Sequence, residues 1–233
     1  MMNSYISIDL ETTGLNPKTD KIIEIGAVKV EEGTITQRFS TYVNPGRRLE
    51  QRIVELTGIC DRDLEGAPVI EEVFPDLQLF LGDLPILGHS VLFDFSFLKK
   101  AAVNQKMTFE KTGVDTLKIA RKYLQSLESR SLDSLCKYYA ISHHAHRALA
   151  DAEATDSLYR RLKEDFFSTE EELFCPKPLI FKVKRDQPAS KAQKERLYKL
   201  IAQHKIILDA DVEMLSRSEA SRLTDIIRSK SGI

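Results

Sequence analysis

Cysteine is scarce in this sequence: Cys60, Cys136 and Cys175 are the three in a chain of 233 residues. Their number is odd and no two stand in C-x-x-C spacing, so they give no disulfide framework and fit a reducing compartment. Long apolar runs are missing as well. The most apolar window, Leu77 to Val103, carries Asp83, His89 and Asp94, which makes it a buried core segment and not a membrane span. Asp9 and Glu11 interrupt the one apolar run near the N-terminus, so no secretory signal is expected there. There is no internal repeat and no low-complexity tract. These absences lead us to expect a soluble, cytoplasmic protein with no membrane partner.

Net charge is close to zero, with 34 basic and 35 acidic residues, but its distribution is uneven. Met1 to Cys175 carries 21 basic and 28 acidic residues, a net of −7. Pro176 to Ile233 carries 13 basic and 7 acidic residues, a net of +6. An acidic body suits cation binding and a basic tail suits a polyanion, although a tail this short can equally be a solvated pair of helices.

The organising stretch is Tyr5-Ile6-Ser7-Ile8-Asp9-Leu10-Glu11-Thr12-Thr13-Gly14. Its β-branched and aromatic content predicts a strand, stopped by Gly14 and Asn16-Pro17. Residues two apart share a face of a strand, so Asp9 and Glu11 project together while Ile8 and Leu10 face the other way. Two adjacent carboxylates repel unless a divalent cation reverses the sign of the interaction. A strand end running into solvent is the alternative that this pair alone leaves open.

Next, Lys21 to Val30 and Thr34 to Val43 read as a hairpin about the Glu31-Glu32-Gly33 turn signal. Helices are expected from Arg48 to Leu56 and from Val69 to Leu81, with Thr57-Gly58-Ile59 and Ala67-Pro68 in the connector between them. Pro85 to His89 suits a buried parallel strand and Val91 to Val103 a helix. Val114 to Thr116 is a short strand entering a helix that runs to Leu124, and Ser131 opens another. A long helix spans Ala148 to Phe167, preceded by the His143-His144-Ala145-His146 loop. Strands first, then strands alternating with helices, give an α/β domain with a mixed sheet. We place this domain at residues 1–168 and a linker at 169–188. A small basic helical module follows at 189–233, its two helices opened by Ser190 with Gln193 and Ser216 with Glu219 in capping-box spacing.

Two further aspartates occupy apolar stripes. Asp94 lies among Val91, Phe95, Leu98 and Ala101 or Ala102, and Asp151 among Ala148, Thr155, Leu158 and Leu162. A carboxylate on such a stripe is costly to bury without a cation or strong donors. With Asp9 and Glu11 they make four carboxylates available to one pocket, a number that suits two hard cations. His146 and Asp151 would stand about 140° apart if both were helical, so His146 belongs to the preceding loop. A loop histidine is the usual candidate for activating a water. A zinc site built from Cys136, His143, His144 and His146 fits no common ligand spacing.

Three segments together resemble a known family. Asp9-Leu10-Glu11-Thr12-Thr13-Gly14 is similar to the first motif of the DnaQ-like 3′→5′ exonucleases of the DEDD superfamily. Gly88-His89-Ser90 with Phe93-Asp94-Phe95-Ser96-Phe97-Leu98 is similar to the second. His146-Arg147-Ala148-Leu149-Ala150-Asp151-Ala152 is similar to the third, that of the histidine-containing branch to which bacterial polymerase III proofreading exonucleases belong. The resemblance covers residues 3 to 167. Ser90 departs from it, standing where the family commonly has asparagine, and serine can replace some of that hydrogen bonding.

The resemblance implies a ribonuclease H-like sheet flanked by helices and metal-dependent 3′→5′ exonuclease chemistry. It implies that Asp9, Glu11, Asp94 and Asp151 hold two Mg²⁺ or Mn²⁺ ions and that His146 takes the proton of the attacking water. Thr12, Thr13 and Leu15 would contact the terminal nucleotide, and Phe97, with Phe93 beside it, either packs on a sugar or base or belongs to the core of its apolar helix. The expected substrate is a single-stranded DNA 3′ end, with nucleoside monophosphates as products and proofreading, replication or repair as the setting. A DNA polymerase subunit is an expected partner. An exoribonuclease trimming RNA ends, or a non-catalytic nucleic-acid or polymerase adaptor, is the alternative.

Overall fold

In a computed structural model that describes residues 2–142, 146–208 and 210–231, the first strand sits near the middle of a six-stranded sheet. The strands are β1 (Tyr5–Thr12), β2 (Ile22–Glu31), β3 (Thr34–Tyr42), β4 (Ile86–Gly88), β5 (Thr112–Asp115) and β6 (Lys177–Pro178). Their spatial order is β3-β2-β1-β4-β5-β6. β1 pairs antiparallel with β2 and parallel with β4, so the sheet is mixed, as the chain order of strands and helices implied. Glu32 and Gly33 both have positive φ, 48° and 78°, which is the backbone of a tight hairpin turn whose twist matches its strands.

The helices are α1 (Gln51–Thr57), α2 (Asp61–Leu64), α3 (Ile70–Leu81), α4 (Val91–Asn104), α5 (Thr116–Tyr123), α6 (Leu132–Tyr138) and α7 (Ala148–Phe166). After these come α8 (Lys191–His204) and α9 (Arg217–Ser231). The expected helix at Arg48 begins only at Gln51, and the connector after it contains the single turn α2, which too few residues encode to be seen as a pattern. Among the described residues no helix is long and apolar enough to cross a membrane.

Period-two alternation in β1 sorts its side chains between two cores. Ile6, Ile8 and Leu10 pack with Phe74, Leu77 and Leu81 of α3 and Val91, Phe95 and Leu98 of α4. Tyr5 points to the other face, against Leu158, Tyr159 and Leu162 of α7, and its hydroxyl donates to Asp156 at 2.5 Å. Asp9 and Glu11 share that second face, beside α7. Each isoleucine or leucine buried in this way contributes about 1.5–3 kcal/mol, so the sheet fixes the direction of both carboxylates.

After α7 the chain returns to the sheet as β6, beside β5, and Leu179 and Phe181 pack on the first core. A third apolar cluster joins α8 and α9 through Leu197, Ala220 and Ile227. Both expected capping boxes form: Ser190 Oγ accepts from Gln193 N, and Ser216 Oγ from Glu219 N, while each partner side chain accepts from the serine amide.

Candidate active site

Ligand oxygens of Asp9, Glu11 and Asp151 all lie within 4.8 Å of one another. Asp9 and Glu11 come from β1, and Asp151 from the first turn of α7. Asp151 is fixed locally, since its carboxylate accepts from the amide of Arg147 at 3.1 Å while its own amide donates to the Arg147 carbonyl at 2.9 Å. Asp94, on the first turn of α4, is 2% exposed and stands outside that triplet. Its Oδ1 accepts from Leu10 N at 3.1 Å, which pins α4 to β1 between the two β1 carboxylates.

Bringing α7 so close to the sheet depends on residues that the motif reading passed over. Gly26 of β2 lies opposite Asp9 in the β1–β2 register. A Cβ placed on Gly26 would lie 2.0 Å from the Ala148 carbonyl carbon and the Leu149 nitrogen, so only glycine lets the helix start here. Glu24, 2% exposed on the same strand, accepts from Ala148 N at 3.1 Å and from the Arg147 guanidinium at 3.1 Å. A carboxylate at a helix N-terminus satisfies an orphan amide and meets the positive end of the macrodipole. Ser7 Oγ adds a buried bond to the Ala152 carbonyl at 2.7 Å. The available signal was Glu24 itself, one charge inside the otherwise apolar run Ile22 to Val28.

The electrostatics follow from this crowding. Burial, then Asp94, Asp151, Glu11 and Glu24, hold the Asp9 carboxyl well above the usual carboxylate range. Asp94 is raised too, chiefly by burial, against the opposing bond from Leu10 N. Glu11 is pushed up to about 7 by burial, Asp151 and Glu24, with Arg147 opposing. Such a cluster favours the uptake of protons or of a cation, either of which offsets crowded like charges. Its donors are all carboxylate oxygens, which fits hard divalent ions.

The remaining expected site residues fall in three settings. Thr12 and Thr13 are 8% and 4% exposed, with their hydroxyls engaged inside the loop: Thr12 Oγ1 donates to the Gly14 carbonyl and Thr13 Oγ1 accepts from Lys21 N. Leu15, by contrast, is 85% exposed at the loop tip. Phe97 is 3% exposed, packed in the core with its ring 5.0 Å from that of half-buried Phe93. His146 is exposed in a left-handed conformation, φ 66°, two residues before α7. For the zinc reading, Cys136 is buried on α6, whereas His143 and His144 lie outside the described residues.

Around the second motif, His89 bridges Thr116 Oγ1 and the Arg130 carbonyl, so it ties the loop after β4 to α5. Ser90 has φ 76° and no side-chain capping bond; its amide donates to Asp115, which also caps α5. The hydrogen bonding that serine could have taken over from asparagine is therefore not made by its hydroxyl at this helix start.

The exonuclease family model matches residues 6–159. The chain belongs to the exonuclease family. It is 38% identical over 168 residues to a PolC-type DNA polymerase III of Clostridium perfringens, which covers 70% of this chain and 12% of the polymerase. It is 37% identical over 166 residues to the DNA polymerase III epsilon subunit of Aquifex aeolicus, covering 70% of this chain and 82% of the subunit. The chain thus spans about an eighth of the PolC-type polymerases it matches and most of the epsilon subunit. Among solved structures, exonuclease X in complex with 5′ overhanging duplex DNA is 27% identical, with a TM-score of 0.58 over 72% of this chain and 96% of that one. E. coli exonuclease I in complex with a dA16 oligonucleotide shares the fold at 19% identity, with a TM-score of 0.65 over 74% of this chain and 43% of that one. These relatives bear out the resemblance to DnaQ-like exonucleases and the ribonuclease H-like α/β sheet.

Proposed function

We propose that the chain is a metal-dependent 3′→5′ exonuclease that shortens single-stranded DNA ends and releases nucleoside monophosphates. The observation that carries this reading is the convergence of Asp9, Glu11 and Asp151 within 4.8 Å on an exonuclease-family fold. Asp9, Glu11, Asp94 and Asp151 would hold two Mg²⁺ or Mn²⁺ ions. Bound there, such ions supply a nucleophilic hydroxide at neutral pH and stabilise the attacking and leaving oxygens of an in-line displacement.

The chain's own side chains do the rest. His146, at the exposed start of α7, accepts the proton of the attacking water as general base. Leu15 presents an apolar surface to the terminal nucleotide, and Thr12 and Thr13 set the loop that carries it. Phe93, more accessible than Phe97, offers an aromatic face to a sugar or base, and Phe97 backs it. The polymerase III relatives support work in DNA replication or repair, with a polymerase subunit as partner. In this reading residues 1–168 are the exonuclease domain, 169–188 a linker that adds β6 to the domain's sheet, and 189–233 a helical module.

The test is degradation of matched 5′-labelled single-stranded DNA and RNA oligonucleotides in Mg²⁺, Mn²⁺ or chelator, with Asp9→Ala and His146→Ala alongside. A metal-dependent ladder shortening from the 3′ end, lost in both variants, supports the reading, and the two substrates rank DNA against RNA. Absence of cleavage in either metal would overturn it in favour of an adaptor.

A further inference from the structure

The loop that follows β1 is tied to the far end of the chain. Asp20 closes this loop and is 8% exposed. Its Oδ2 accepts from Asn16 N at 2.9 Å. Its Oδ1 accepts from two guanidiniums, Arg47 at 3.2 Å and Arg222 of α9 at 2.9 Å, the latter 202 residues away. Gly14 makes room for this carboxylate, because a Cβ there would lie 2.5 Å from Asp20 Oδ2. Arg47 also donates to Thr13 Oγ1, so the same cluster reaches the residue next to Thr12. One turn before Arg222 on α9, Glu219 meets Lys21 at 3.0 Å. Residues three apart share a helix face, so α9 grips the loop at two adjacent points, Asp20 and Lys21.

We propose that Arg222 is a positioning residue of the nuclease site: acting through Asp20, it holds the Thr13–Lys21 loop in the conformation that receives the nucleic-acid strand. This role rests on the nuclease reading above, since it concerns the loop that presents Leu15. The placement has a physical reason. A loop with an exposed tip loses conformational freedom when it binds a strand, and a loop already held loses less. The bond is charge-assisted and the acid is buried, so it is strong enough to do this. The strap leading to the helical module is itself anchored, with Asp186 accepting from Lys100 and Asn104 of α4 at 2.7 and 2.9 Å. The cleft between loop and module, about 460 Å³, is lined by Thr13, Arg47, Met214, Arg222 and Leu223, and opens beside the loop.

The test uses the full chain carrying Arg222→Ala, Arg222→Lys, Asp20→Asn and the Arg222→Ala/Asp20→Asn double variant. Two readouts are taken: steady-state hydrolysis of a single-stranded oligonucleotide, and amide hydrogen exchange at Thr13, Asn16 and Lys21. We expect Arg222→Ala to raise KM roughly five- to tenfold with kcat changed less than about twofold, and to speed exchange at those amides. Arg222→Lys should recover part of both effects, because an ammonium still meets Asp20. In the Asp20→Asn background, Arg222→Ala should add little further. Oligonucleotide hydrolysis with KM unmoved by Arg222→Ala overturns this inference alone, as does an equal loss in both backgrounds. A wild-type chain that hydrolyses no nucleic acid overturns the nuclease reading, and this role with it.

Discussion

Gly26 and Ala148 meet backbone to backbone: a Cβ on the glycine would fall 2.0 Å from the alanine's carbonyl carbon. Gly26 pairs with Asp9 in the sheet, and Ala148 opens the helix that carries Asp151. The approach of these two residues therefore sets the distance between the carboxylates. Gly26→Ala must push α7 outward, and overpacking of this kind costs about 1–3 kcal/mol, occasionally more. We expect a lowered denaturation midpoint together with weakened Mn²⁺ binding by calorimetry. A variant that loses stability while binding Mn²⁺ as tightly as wild type would separate the helix position from the site.

The carboxylate cluster predicts a pH dependence that reverses with metal. Glu11 titrates at about 7 in the fold, with Asp9 and Asp94 also raised. A folded-state value above the unfolded one means that the fold favours the protonated acid. That contribution is fully present below about pH 4.5 and is lost as pH rises through about 7. In chelator, the melting temperature should fall between pH 5.5 and 8.5. Glu11 alone accounts for on the order of 2 kcal/mol, or about 4–8 °C for a chain of this length. Mn²⁺ should restore more stability at pH 8 than at pH 6, because it competes with fewer protons. A melting temperature independent of pH in chelator would contradict the crowding of charges.

Asp9→Asn follows from the same repulsion with the opposite sign. Removing one charge from the most crowded position should raise the melting temperature of the metal-free chain at pH 8, even though a buried residue is changed. The same variant should lose most of the stabilisation that Mn²⁺ gives the wild type. Differential scanning calorimetry with and without metal reads both. A variant less stable than wild type in chelator would mean that the acid is held by hydrogen bonds that outweigh the repulsion.

Much of this was legible in the sequence because period gives direction. Alternation in β1 placed Asp9 and Glu11 on one face, and the apolar stripes of α4 and α7 made Asp94 and Asp151 stand out as buried acids. What period could not carry was contact between distant segments. Glu24 interrupts an apolar strand, but nothing local says that it caps a helix more than a hundred residues later. Gly26 reads as one small residue among others until the helix lies across it. Asp20 sits in a polar loop, where an aspartate is ordinary, and its bond to Arg222 spans nearly the whole chain. Phe97 stood on a helix apolar nearly all round, where spacing cannot separate an inward ring from one that meets a ligand; packing turns it into the core.

Ser90 carries a conformational cost. It begins α4 with φ 76° and ψ 43°, a left-handed conformation that costs an ordinary L-residue about 1–2 kcal/mol and that asparagine tolerates better. Its amide bond to Asp115 uses the backbone, so a change of side chain leaves it intact. Ser90→Asn should therefore raise the urea midpoint with the m-value unchanged, a gain in unfolding free energy of roughly 0.5 kcal/mol. A lowered midpoint would show that the pocket around Ser90 is too tight for the larger side chain.

His146 is the residue on which proton chemistry and metal binding can be separated. The ligand oxygens that meet are those of Asp9, Glu11 and Asp151, while His146 is exposed in the left-handed backbone just ahead of α7. A histidine so placed can approach a water at the mouth of the site without being needed to hold an ion. His146→Ala should accordingly bind Mn²⁺ within about twofold of wild type, since the carboxylates that hold the ion are untouched. Turnover should fall by about 10²–10⁴-fold, the range that a general base contributes. His146→Gln, which keeps a hydrogen-bonding side chain but cannot take up the proton, should be as inactive as the alanine variant. If either variant lost Mn²⁺ binding by calorimetry, His146 would be a ligand, and the general base would have to be sought elsewhere along the cleft.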